Sequence, residues 1–392
     1  MNAESINDKN EQLATANLVK EVLSNYGIKT EKVTYVKGPS VSRYRVALSD
    51  SKQVRKIQKM ESDLVMSLTA YGVRIVPPKR SNGKFVFIEI QNERPTTVTM
   101  QSIWDSPRWQ DEENMVLPVA LGRTIPSEEF MFDLNKIKNL LIAGACGTGK
   151  SVAVDAIINS LIQKLDPDQL KFVLMDPKNV EFTPYEKLSH LYLATMREHE
   201  NESPIITTCQ QAINILNSLM IECQQREDLL MEAGCRDIDD YNKKMSDSGS
   251  IVPHIVVIID EFGDFIMQAG RKIETPICRL TQKGAYCGIH LIITTQRPAV
   301  NIITGVIKAN FWTRMAFRTA GIIDSRTILD SKGAECLVGR GDMLYSQEDE
   351  LIRVQCGYIS KEEVEDFAKE VAIVYEGEEI EPYTLPYCEL NI

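Results

Sequence analysis

The chain has 392 residues, of which 43% are hydrophobic and 25% charged, enough for two or three domains with their own cores and ordinary for a soluble globular protein. The longest aliphatic runs, such as residues 255–259, are far too short to cross a bilayer, the polar opening at residues 1–12 has no signal-peptide core, and nine scattered cysteines without a C-x-x-C pair or histidine cluster indicate neither a zinc site nor a disulfide framework, so a cytoplasmic protein is expected. The net charge of −11 speaks against a nucleic-acid partner until it is divided: residues 361–392 hold ten acids against two bases, leaving −3 for the rest, while residues 271–326 hold nine Lys or Arg against Glu274 and Asp324, the place where a polyanion would bind.

In chain order, residues 1–12 are expected to be disordered. Leu13, Ala16, Leu18, Val19, Val22 and Leu23 then recur at helical spacing over residues 13–26, and Gly27 ends the run. Alternation over 32–36 and 42–48, around Gly38-Pro39, predicts two strands. Residues 54–71 predict a second amphipathic helix, and 73–76 and 85–90 two more strands, completing an α+β module over residues 13–95. Residues 96–116, with Trp104, Pro107 and Trp109, lack periodicity and form a linker packed on the surface of the second domain. Residues 117–372 alternate strand and helix: strands at 140–143, 171–175, 255–259 and 289–294, helices from Ser151, over 206–231 and around 271–286. Apolar strands bounded by helices imply an α/β fold with a parallel sheet covered on both faces. Residues 373–392 form an acidic tail.

Residues 144–151, Gly-Ala-Cys-Gly-Thr-Gly-Lys-Ser, fit G-x-x-x-x-G-K-[ST] and lie between the strand at 140–143 and the helix from Ser151, the context the motif requires. The glycines let backbone N–H groups curl around phosphate oxygens, and the helix N-terminus adds positive charge there. Gly144, Ala145, Cys146, Gly147, Thr148, Gly149, Lys150, Ser151 and Val152 are therefore the expected nucleotide-binding residues. Lys150 reaches the β and γ phosphates, and the Ser151 hydroxyl ligates Mg²⁺. The strand at 255–259 ends in Asp260 and Glu261: Asp260 holds Mg²⁺ through its water shell, and Glu261 is the base for an attacking water. Gln296, closing the next strand, is placed to contact a γ phosphate or its water. Cys146 reads as a small apolar filler, and His190, His199, His254 and His290 as structural.

Several strings together resemble the motor core of the FtsK/SpoIIIE DNA translocases: Asp260-Glu261-Phe262-Gly263-Asp264, Gly288-Ile289-His290-Leu291, Thr295-Gln296-Arg297-Pro298, residues 303–310, Ile323-Asp324-Ser325-Arg326 and Gly339-Arg340-Gly341-Asp342. Asp176-Pro177-Lys178 is similar to another stretch of that family, and residues 38–44 and 88–92 resemble its α domain. The resemblance covers roughly residues 15–370. It implies a RecA-like P-loop ATPase domain behind a smaller N-terminal α+β domain, taking ATP and Mg²⁺, assembling as a homo-hexameric ring and driving double-stranded DNA through the pore, with Arg297, Lys308 and Arg326 on or near the pore loops. Backbone contacts of that kind are independent of DNA sequence.

Three departures qualify the likeness. Family members commonly carry an arginine after the Gln-Lys-x stretch, a candidate finger toward the neighbouring subunit worth about 10³- to 10⁵-fold in rate; here Ala285 follows Gln282-Lys283-Gly284. The lysine usual before Ile-Asp-Ser-Arg is replaced by Gly321-Ile322, and neither a membrane-spanning segment nor a winged-helix γ domain is expected in this chain. These departures leave open a weakly active or inactive paralogue serving as an ATP- and DNA-binding subunit, including in a mixed ring with a related motor, and a conjugative DNA pump.

Overall fold

The computed structural model describes residues 3–68, 72–78, 83–196, 203–246, 249–348 and 350–388, except for the side chains of residues 3–10. Strands β1 (Thr30–Lys37), β2 (Val41–Leu48), β3 (Arg74–Val76) and β4 (Phe85–Gln91) form an antiparallel sheet in the order β1-β2-β4-β3. Alternation along β2 sends Tyr44, Val46 and Leu48 inward against Val19, Leu23, Ile57 and Leu64 of the covering helices. The first helix is Ala3–Asn25, so it takes in residues from Ala3 onward that the sequence pattern marks as disordered. The single helix expected over 54–71 is two, Lys52–Gln58 and Glu61–Leu68, because the Lys59 and Met60 N–H groups close on carbonyls three residues back and turn Met60 and Leu64 into the core. Its expected end at 69–71 lies outside the described residues.

The second sheet comprises β5 (Pro118–Thr124), β6 (Glu129–Asp133), β7 (Asn139–Ala143), β8 (Leu170–Met175), β10 (His254–Ile259), β11 (Ile289–Thr295), β12 (Thr313–Phe317), β13 (Asp342–Gln347) and β14 (Glu350–Cys356). Its order is β6-β5-β14-β13-β12-β7-β11-β10-β8. The segment β8-β10-β11-β7-β12 is parallel, and every residue of β7, β8, β10 and β11 is buried. Neighbouring residues of one strand enter opposite cores. Leu140, Ile142, Val256 and Ile258 pack toward the helix Lys150–Lys164, whereas Leu141, Ala143, Val257 and Ile259 pack toward the helices Cys209–Ala233 and Arg271–Lys283.

The parallel sheet expected from the strands at 140–143, 171–175, 255–259 and 289–294 is present, and β13, β14, β5 and β6 extend it with an antiparallel half that the sequence pattern does not mark. Its key pairing, Val354↔Thr124, joins distant parts of the chain, so no local pattern announces it. Trp104 and Trp109 of the expected surface linker are buried, donating their indole N–H groups to Ser160 and Gln163 of the helix behind β7. The acidic tail is docked as far as it is described: β15 (Thr384–Leu385) pairs with β9 (Thr195–Met196), and Tyr383 bonds Glu222 and Arg226. Among the described residues no helix is long and apolar enough to cross a membrane.

Between the two sheets lies a buried ion cluster. Arg353 of β14 donates to Glu89 of β4 at 3.0 Å and, through two nitrogens, to Asp342 of β13 at 2.9 and 2.7 Å. Arg74 and Arg43 also pair with Glu89, at 3.1 and 2.7 Å. Burial pushes the Glu89 carboxyl upward, but Arg74, Arg353 and Arg43 outweigh it and hold the group at about 2.

Candidate active site

Parallel strands direct their carboxyl ends to one edge, where ligands of open α/β sheets bind. At that edge the glycine loop leaves β7, and Asp260 and Glu261 leave β10; between them runs β11, ending in Thr294 and Thr295 and followed by Gln296. The loop needs its glycines. Gly147 and Gly149 have φ of 71° and 117°, and a Cβ on Gly149 would lie 2.9 Å from Gly341, whose N–H donates to the Thr148 carbonyl at 2.8 Å. The Lys150 side chain is buried and folds back, its Nζ donating to the Gly144 and Ala145 carbonyls at 2.9 and 2.8 Å. Burial pulls its pKa down, while the charge of Glu261, then Cys146 and Asp260, opposes the shift.

Glu261 is 2% exposed and fully engaged. Its carboxylate accepts from the Thr295 hydroxyl at 2.9 Å and the Gln296 N–H at 3.0 Å, and its own N–H donates to Thr294 Oγ1 at 3.3 Å. Its φ of 44° is left-handed, a conformation that costs a non-glycine residue about 1–3 kcal/mol and needs surroundings that enforce it. Gly263 makes the room, since a Cβ there would stand 2.8 Å from Glu261 Oε1.

Asp260 accepts from the Thr294 hydroxyl at 2.6 Å. Burial pushes its carboxyl up to about 6; the Thr294 bond opposes this, and Asp176, Glu181 and Glu261 add to it. A concentration of acids beside Lys150, with the Ser151 hydroxyl in the first turn of the adjoining helix, fits a hard divalent cation that keeps most of its waters, as Mg²⁺ does. Since folding raises this pKa, the folded chain binds more protons than the unfolded one between about pH 4 and 6, so Asp260 costs stability as pH rises through that window and the full cost stands at neutrality. Asp260→Asn is therefore expected to stabilise the nucleotide-free protein near pH 7 by up to about 3 kcal/mol, at 1.36 kcal/mol per pKa unit. The gain should vanish toward pH 4; denaturant unfolding at both pH values checks it.

Other contributors to this edge show their role only in the structure. Thr294, which reads only as strand, and Thr295, which opens the string Thr295-Gln296-Arg297-Pro298, tie the two acids to β11. Asp176, fully buried, accepts from the N–H groups of Lys178, Val180 and Glu181 and shapes the loop after β8. Asp155, on the helix behind the loop, accepts from the Tyr185 hydroxyl at 2.9 Å, and burial pushes its carboxyl to about 7. An acid at a strand end is a sequence signal; a carboxyl displaced by packing is not. Beside the loop opens a cavity of about 470 Å³, lined by Ser40, Thr97, Gly147, Gly149, Val152 and Tyr358 among others. Of the expected DNA contacts, Arg297 and Arg326 are exposed, whereas Lys308 is engaged with Asp330 at 2.7 Å, which also binds Arg314.

A phosphate loop after β7, acids after β10 and one strand between them define a RecA-like P-loop ATPase fold. Structural neighbours agree: the pCW3 conjugation coupling protein TcpA, in a monomer form with ATPγS, superposes with a TM-score of 0.64 at 22% identity over 93% of this chain and 100% of that one. The cytoplasmic domain of the type VII secretion ATPase EccC of Thermomonospora curvata does so with 0.61 at 21% identity, over 76% and 36%. Residues 100–300 match the model of the FtsK/SpoIIIE family and residues 1–92 that of the FtsK alpha domain. The DNA translocase FtsK of Chlorobaculum tepidum is 40% identical over 362 residues, 91% of this chain and 44% of the relative. That of Haemophilus influenzae is 37% identical over 387 residues, 91% of this chain and 70% of the relative. The chain belongs to the FtsK/SpoIIIE family, and it spans about half the length of the first relatives it matches.

Proposed function

We propose that the chain is the motor part of an ATP-driven double-stranded DNA translocase, with residues 13–95 as its accessory domain and residues 117–372 as the motor. The observation that carries this reading is the bonding of Glu261 to both Thr295 and Gln296 at the edge where Lys150 emerges. ATP binds with its triphosphate on the loop N–H groups and its base toward the cavity beside Gly147 and Gly149. Lys150 exchanges the Gly144 and Ala145 carbonyls for phosphate oxygens. Ser151 and Asp260 would hold Mg²⁺, which would offset phosphate charge. Glu261 takes a proton from the attacking water. Any shift of its carboxylate is felt at the Gln296 N–H, one residue from Arg297, so hydrolysis is passed to a loop that touches DNA. Arg279, exposed on the helix Arg271–Lys283, supplies the charge in trans that Ala285 cannot.

The relatives' names support DNA as the substrate and favour an active motor over an inactive subunit. In the cell this motor works from the cytoplasm as a homo-hexamer closed by head-to-tail contacts. DNA-stimulated ATP turnover measured together with particle mass tests the reading: turnover should rise when rings form, and Lys150→Ala should abolish it. Turnover no higher than that of Lys150→Ala, in a sample containing rings, overturns it. Replacing Arg297 and Arg326 together by alanine should weaken duplex binding alike for all sequences and flatten the slope of log K against log salt by about 2. An unchanged slope would remove both from the interface.

A further inference from the structure

At the end of the sheet opposite the phosphate loop, three metal-ligating side chains converge. Cys223 and Glu227 stand four residues apart on one face of the helix Cys209–Ala233, and Cys287 closes the short turn Gly284–Cys287 that leads into β11. The two Sγ atoms and a Glu227 carboxylate oxygen lie within 4.8 Å of one another. Both thiols are buried, and Glu227 is half-buried at their outer side.

The surroundings are those of a ligand set rather than of two cysteines filling space. Glu227 is oriented by the Tyr286 hydroxyl and by Lys283, whose Nζ donates at 3.1 Å, as outer partners orient metal ligands. Arg226 donates to the Cys287 carbonyl at 2.8 Å and fixes the turn. The Cys287 thiol donates to the Cys223 backbone carbonyl at 3.5 Å, so the turn already sits against the helix where the two sulfurs meet. Charge also closes: two thiolates and a carboxylate bring three negative charges, a divalent cation two positive ones, and Lys283 the third.

We propose that Cys223, Glu227 and Cys287 form a binding site for a thiophilic divalent cation of the Zn²⁺ kind, with a water as fourth ligand. Two sulfurs and one oxygen in a small, sheltered space select such an ion over Mg²⁺ or Ca²⁺, which take oxygen donors. Binding releases the thiol protons to solvent and fastens the long helix to the turn entering β11, whose far end carries Thr294 and Thr295. The site stands apart from the phosphate-loop chemistry and does not depend on it.

Co²⁺ is the probe. The full chain, stripped with chelator and kept reduced by a phosphine, should develop a thiolate-to-cobalt charge-transfer band and tetrahedral d–d absorption with stoichiometric Co²⁺, both lost when Zn²⁺ is added. Cys223→Ser and Cys287→Ser should lose the bands, Cys235→Ser should keep them, and Tyr286→Phe should weaken affinity about 10- to 100-fold. Zn²⁺ should raise the melting temperature of the wild type but not of Cys223→Ser. Far-ultraviolet circular dichroism verifies that each variant folds; Glu227→Gln, with both thiols intact, serves where a cysteine variant does not. A wild-type spectrum without the bands overturns the proposal, as does one that Cys223→Ser or Glu227→Gln reproduces.

Discussion

Glu261→Gln is expected to lower DNA-stimulated ATP turnover by about 10²- to 10⁴-fold while leaving nucleotide binding nearly intact, the range attached to a positioned general base. The geometry makes this a demanding test. The amide cannot accept a proton from water at neutral pH, and it must offer an NH₂ group either to the Thr295 hydroxyl or to the Gln296 N–H, where two acceptor oxygens now sit. With the NH₂ toward Thr295, whose hydroxyl can turn to accept it, the Gln296 bond is kept and the Thr295 bond reverses without a charged partner, so the variant weakens rather than breaks the tie between the acid and β11. Single-turnover hydrolysis beside equilibrium binding of a fluorescent ATP analogue separates the effects. Chemistry at the wild-type rate would mean that another group activates the water. Thr295→Ala, which removes one bond and keeps the carboxylate, should cost less than Glu261→Gln; the reverse order would make positioning, not proton transfer, the main contribution.

Arg353→Met is expected to destabilise the protein by about 3–5 kcal/mol, the cost of breaking a buried ion pair from one side. Asp342 would lose both of its Arg353 bonds, and Glu89 would keep Arg74 and Arg43 but lose the partner that ties β4 to β14. Because Asp342 also accepts from the Val338 N–H at 2.8 Å, the damage should spread to the turn at Gly339 and Gly341, and Gly341 rests on the phosphate loop. Urea unfolding followed by separate probes on the two sheets should change from one shared transition to two. A double-mutant cycle with Glu89→Gln should be non-additive, as for residues in one network. Additive losses with a single transition would show that the cluster is not what joins the sheets. The Glu89 contribution has a pH signature: its pKa is depressed by folding, so its stabilisation holds above the usual carboxylate range and is lost as pH falls toward 2.

Much of the edge chemistry was legible because it is local. The glycine loop must curl within eight residues, its lysine must follow at once, and a buried strand must end where its acids begin, so Lys150, Ser151, Asp260 and Glu261 are written as short strings. The strands carrying them were legible for the same reason: residues buried on both faces produce unbroken aliphatic runs. The antiparallel half leaves no such mark, though β6 alternates cleanly as Glu-Phe-Met-Phe-Asp, because five to seven half-apolar residues do not say which partner they pair with. Lys308 counted as a free cation until folding placed Asp330 against it.

The string alone thus carries a glycine loop of the phosphate-binding pattern, the acids expected to face it, the αβ alternation that brings them to one sheet edge, and the likeness to the family the chain belongs to. Only the tertiary structure decided which charges are spent on one another, how Glu89 and Arg353 join two sheets, and that Cys223 and Cys287 meet. The physical reason is range. Backbone geometry and side-chain period act over a few residues and leave a pattern in the string, whereas electrostatic pairing and ligand convergence depend on distances between elements that packing alone sets.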